Sequence, residues 1–139
     1  MPFENPPPEA IKRLLETVKT IAVVGLSPQP DRPSHGVARA MQRFGYRIIP
    51  VRPAVDSVLG EKAYPDLPQL PGPVDLVDVF RASEHVAGIV DQCIALKLPA
   101  IWLQEGVVDE KAAEKAQQAG IFVVMDRCIF KDYLAYMNG

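Results

Sequence analysis

The chain has 139 residues, 48% hydrophobic and 23% charged, with a formal net charge of −2. That length suits one well-covered core and is short for two, no apolar run approaches the ~20 residues that cross a bilayer, and the slightly acidic balance speaks against a general nucleic-acid binder. Two cysteines, Cys93 and Cys128, and two histidines, His35 and His85, are too few for a disulfide scaffold or a four-ligand zinc site, so no metal is expected.

From the N-terminus, "MPFENPPPEA" carries acid and proline where a secretory signal needs a basic start and an apolar stretch, so a cytoplasmic location is expected. Glu9 to Lys19 places Ala10, Ile11, Leu14, Leu15 and Val18 at helical spacing, after a proline suited to a helix first turn. "TIAVVGL" is a continuous apolar run ending at Gly25 and reads as a strand buried on both faces. A helix is predicted from Ser34 to about Phe44, with Val37, Ala38 and Met41 inward and Gly45 as terminator.

"YRIIPV" is a second strand, followed by a proline-rich connection through "LGEKAYPDLPQLPG". Then come strand "VDLVDVF", helix "SEHVAGIVDQCIALK", strand "LPAIWL", helix "DEKAAEKAQQAG", strand "IFVVM" and a short helix over about Phe130 to Met137. Strands alternating with helices imply right-handed crossovers. The expected fold is therefore α/β: a single Rossmann-like domain over residues 1–139, with a five-stranded, mainly parallel sheet and helices on both faces. Residues 1–19 supply an N-terminal helix packed on it.

In such sheets ligands sit beyond the carboxyl ends of the strands, where the winding reverses. The first of these loops carries Gly25, Ser27, Arg32 and Ser34 just before a helix start, where backbone N–H groups, hydroxyls and a guanidinium suit an anion. A capping serine beside a solvated arginine is the plainer reading of the same residues. At the end of the second strand, NAD-binding domains place an acidic residue on the ribose hydroxyls. This chain has Arg52 in "IIPVRP". A guanidinium favours a phosphorylated ribose, so NADP and coenzyme A both qualify, and a plain surface arginine stays open. No general acid–base stands out: His35 and His85 read as capping or surface residues, and Cys93 and Trp102 as core. Cys128 reads as structural, and Glu105 either as a turn residue or as the reactive group of an acyl-CoA enzyme.

The motifs "VVGLSPQPDRPSHGVARAMQRFGYRIIPVRP", "LGEKAYPDL", "VDLVDVFRASEHV" and "IWLQEGVVDEKAAEKAQQAGIFVVMDRC" resemble the small stand-alone CoA-binding proteins. These are similar in turn to the N-terminal CoA-binding domain of the succinyl-CoA synthetase α subunit. The resemblance runs from about Thr20 to Cys128. It implies that coenzyme A or an acyl-CoA is bound, with Gly25, Ser27, Arg32 and Ser34 on the pyrophosphate side. Val51, Arg52 and Pro53 would hold the phosphorylated ribose and adenine, Phe80 and Arg81 the next part of the groove, and Gln104 and Gly106 the pantetheine arm. The synthetase's "TEG" stands here as "QEG" and its "PNC" as "DRC", and its phosphorylated histidine lies in a later domain. The resemblance thus implies binding without ligase chemistry. An NADP-dependent reductase, an acyl-CoA enzyme using Glu105 or Cys128, and a bare interaction scaffold are the competing readings. A protein partner or a homo-oligomer is left open.

Overall fold

The computed structural model describes residues 2–137. Helix α1 (Pro8–Thr17) begins at a proline, whose missing N–H costs nothing in a first turn, and buries Ile11 and Leu15. Strand β1 (Thr20–Val24) leads through the first rim loop into α2 (Pro33–Arg43), which returns to β2 (Arg47–Val51). The proline-rich connection contains a hairpin of two-residue strands, β3 (Ser57–Val58) and β4 (Glu61–Lys62), and a 3₁₀ turn at Leu67–Gln69. Next come β5 (Leu76–Val79), a 3₁₀ turn at Ser83–His85, α3 (Val86–Ala95) and β6 (Ala100–Leu103). Helix α4 (Glu110–Gln118), β7 (Phe122–Val124) and α5 (Ile129–Tyr136) complete the chain.

The main sheet has the order β2-β1-β5-β6-β7, and every pair in it is parallel. Expected as mainly parallel, it is parallel throughout. From β1 the chain winds outward to β2; from β5 it winds the other way through β6 to β7. The reversal falls between β1 and β5, where a crevice opens at the carboxyl ends.

Alternation along each strand divides the core. Ala22, Val24, Val77, Val79, Ile101 and Leu103 face one way, beneath α3 and α4. Ile21, Val23, Leu76, Trp102 and Val124 face α1, α2 and α5. Trp102 is fully buried, and its Nε1–H donates to the carbonyl of Arg127 at 2.7 Å, so the core of β6 anchors the rim beyond β7. Cys93 is likewise sealed in the core, and burial pushes its thiol up to about 12.

Two polar devices fasten the ends of the sheet. Asp75 Oδ2 accepts from the N–H groups of Lys19 and Thr20, each at 2.9 Å, and so docks β5 beside β1. Asn5 acts on β7 as a backbone would: its Nδ2 donates to the Met125 carbonyl at 2.9 Å and its Oδ1 accepts from the Met125 N–H at 2.8 Å.

Candidate functional site

The first loop is built by hydrogen bonds that join strand to helix. Helix α2 starts one residue earlier than expected, with Arg32 at the cap position and Pro33 first. Ser34 is therefore not a cap. It is buried inside the first turn, and its Oγ accepts from the N–H of Ser27 at 3.0 Å. Ser27 Oγ accepts from Gln29 N–H at 3.1 Å. His35, expected as a capping or surface residue, is 9% exposed and lies 3.0 Å through Nδ1 from the Ser27 carbonyl. A carbonyl only accepts, so Nδ1 carries the proton. Ser27 is thus held at its N–H, its Oγ and its carbonyl.

Gly25 serves packing at this point more than ligand approach. Its φ is +85°, and a Cβ there would lie 2.4 Å from the Phe80 carbonyl oxygen and 2.9 Å from Arg81 Cδ. The missing side chain is what lets the β1 loop and the β5 loop meet at the winding reversal.

Around this contact lies a continuous trough. Its largest part, about 560 Å³, is lined by Gly25, Ser27, Arg32, Ser34, Arg52, Phe80 and Gln104 among others. A second part, about 440 Å³, shares Gly25, Arg52 and Phe80 and adds Pro53 and Arg81. A third, about 230 Å³, shares Pro53 and Arg81, reaches Val51, and runs toward α3. Ten of the eleven residues expected from the sequence line one of these parts. Gly106 lines none; its φ of +81° serves a turn whose N–H donates to Asp126 Oδ1 at 2.7 Å.

The charges in the trough are distinctive. Arg32 is exposed and Arg52 and Arg81 are partly buried. Among the described residues none of the three has a carboxylate within 4.0 Å, the ion pairs being Lys115–Asp91, Arg127–Asp132 and Lys131–Glu105. Arg52 instead lies with Nη1 3.5 Å from the Gly25 carbonyl. Arg127, on the same rim, is neutralised by a two-pronged bond to buried Asp132 at 2.7 and 2.8 Å, which raises its pKa first through that hydrogen bond. Glu105 faces the trough but is half exposed and paired with Lys131 at 2.9 Å. His85 is exposed, as expected.

Beyond the eleven residues, the sequence marks Cys128 only as a structural or reactive thiol and does not single out Val107, Asp66 or the buried Asp78. Val107 and Cys128 are buried, yet both line the main part of the trough. Asp66 lines the third part, with Oδ1 buried and unpartnered. Asp78 sits in the middle of β5 between Val23 and Trp102, fully buried, with Oδ1 unpartnered. Burial alone raises its pKa well above the usual carboxylate value. Helical spacing with Ala38 and Met41 was the available signal for His35. Nothing in "VDLVDVF" marks Asp78 as buried.

Residues 19–133 match the family described as the CoA binding domain. The chain belongs to that family. The YneT protein of Bacillus subtilis is 46% identical over 127 residues, covering 91% of this chain and 94% of that one. An ADP-forming acetate–CoA ligase I of Archaeoglobus fulgidus is 24% identical over 121 residues, which is 80% of this chain but 18% of the ligase. A solved hypothetical protein from Pyrococcus horikoshii superposes with a TM-score of 0.92 at 31% identity, covering 99% of this chain and 96% of that one. Similar chains thus occur both at this size and as one part of a much longer ligase.

Proposed function

We propose that the chain binds coenzyme A, free or as an acyl thioester, as a binding module without ligase chemistry of its own. The observation that carries this reading is the trio Arg32, Arg52 and Arg81, lacking carboxylate partners on one trough at the winding reversal. A diphosphate together with a ribose phosphate supplies the matching set of separated negative charges. The donors fit such a ligand. Ser27 and Ser34 hydroxyls and Arg32 stand at the N-terminus of α2, where an anion is favoured. Arg52, with Val51 and Pro53, reads the phosphorylated ribose and adenine, Phe80 and Arg81 flank the middle, and Gln104 meets the pantetheine arm.

The ligase relatives support the ligand and not their reaction, since the chain corresponds to 18% of such a ligase. No described helix is long and apolar enough to span a bilayer. Calorimetry with CoA, 3′-dephospho-CoA and NADP, alongside Arg52→Ala, tests the reading. CoA binds best, and losing the 3′-phosphate costs about 1–3 kcal/mol, the scale of a charge-assisted contact. Arg52→Ala abolishes most of that difference. Tighter binding of NADP, or no binding of either ligand, overturns the proposal.

A further inference from the structure

We infer that Cys128 is a covalent docking point, at which the protein exchanges with the symmetric disulfide of coenzyme A and keeps one coenzyme as a mixed disulfide. The inference rests on the coenzyme reading above and adds a redox-dependent mode of retention to the same trough.

Cys128 is a free thiol, 8% exposed, on the wall of the same 560 Å³ cavity as Gly25, Ser27 and Arg52. The other thiol, Cys93, is 0% exposed on the inner face of α3 and lines none of the trough. Beside Cys128 stands a second pointer to a ligand. Gln104 is 4% exposed and lines the cavity, and its Oε1 accepts from the N–H of Ile129, the residue after Cys128, at 3.2 Å. That bond fixes the amide. Its Nε2 is left with no partner among the described residues, yet it is not one of the polar atoms sealed from solvent. Set in the cavity wall with its Oε1 already engaged, the amide has an Nε2 donor free to meet an acceptor on a ligand. An arm that carries amide carbonyls and ends in sulfur supplies both the acceptor and the reacting atom.

The spacing agrees. From the β1 loop to the end of β7 there are three strand intervals, about 14 Å. The pantetheine arm has twelve bonds from the diphosphate oxygen to sulfur, roughly 15 Å when extended. A diphosphate at the start of α2 therefore delivers its sulfur to the Cys128 end.

The chemistry closes without an outside oxidant. The Cys128 thiol loses its proton, its sulfur attacks one sulfur of the coenzyme disulfide, and that S–S bond breaks. A new S–S bond joins protein to coenzyme, and the departing coenzyme thiolate takes up a proton. Holding the disulfide in the trough gives the reaction its advantage through proximity. The low exposure of Cys128 also disfavours disulfides that do not enter the trough.

The test is incubation of the whole chain with CoA disulfide, read by intact mass and peptide mapping, with glutathione disulfide in a parallel arm. The expected product gains one coenzyme less two hydrogens, mapped to Cys128, at least tenfold faster than glutathione is attached. Cys93→Ser keeps this adduct, Cys128→Ser loses it, and Arg52→Ala slows its formation. Reduced CoA is titrated into the wild-type chain in a separate cell. Binding of reduced CoA with no adduct, an adduct on Cys93, or equal rates for the two disulfides overturns the inference and leaves the coenzyme reading standing. Failure of reduced CoA to bind removes that reading, and this inference with it.

Discussion

A Cβ on Gly25 would sit 2.4 Å from the carbonyl oxygen of Phe80, so the loops after β1 and β5 pack with no room for a side chain there. Gly25→Ala must both hold φ near +85° and push the β5 loop away. Left-handed backbone costs an L-residue about 1–2 kcal/mol before any clash. We expect urea unfolding to show a loss of about 2 kcal/mol or more, and the same variant to lose most CoA binding, because Arg52 and Arg81 flank this contact.

Arg81 lines both smaller parts of the trough and has no carboxylate partner among the described residues. Arg81→Ala weakens CoA by about 1–2 kcal/mol through loss of a charge-assisted contact. Raising salt weakens the wild-type chain more than the variant, since the attraction being screened is the one removed. Titrations at two ionic strengths measure both effects.

Asp78 gives stability a distinctive pH dependence. Burial holds its folded-state pKa well above the usual carboxylate value, so the folded chain keeps a proton that the unfolded chain releases. The stability linked to that proton is fully present below the unfolded pKa and is lost as pH rises toward the folded one. Its slope is about 1.4 kcal/mol per pH unit inside the window. Asp78→Asn, of similar shape and without charge, flattens this slope and raises the urea midpoint at neutral pH. Equal slopes for the two proteins would show that another group sets the dependence.

Asn5 engages both backbone groups of Met125. Asn5→Ala removes two hydrogen bonds and loosens the N-terminal segment, at a cost of about 1–2 kcal/mol. Amide exchange at Met125 should accelerate while that of β1 stays slow.

The strands of the main sheet were legible because each is buried on both faces and reads as an apolar run. Helices α1, α2 and α4 were legible from amphipathic spacing. Hairpin β3–β4 was not: its strands are two residues long, and tertiary bonds hold it, including Tyr64 N–H to the Pro50 carbonyl and Arg52 N–H to the Tyr64 carbonyl. The rule of strand ends puts Arg52 and Arg81 on the trough wall because topology alone carries them there. Gly106, also placed by that rule, lies off the trough in a turn with φ of +81°. Ser34 illustrates the remaining gap. A serine near a helix start looks like a cap, but here Pro33 opens the helix and the Ser34 hydroxyl accepts from the Ser27 N–H of the strand loop instead.

The margins of the sheet carry one more consequence. At β2, Pro50 has no N–H to offer, and Tyr64 engages the Pro50 carbonyl and the Arg52 N–H. At β7, a strand of three residues, Asn5 covers the next outward-facing pair. Neither edge leaves a strand's length of open donors and acceptors, the template on which chains stack into larger sheets or fibrils. Among the described residues, both sides of the sheet are thus guarded against strand addition.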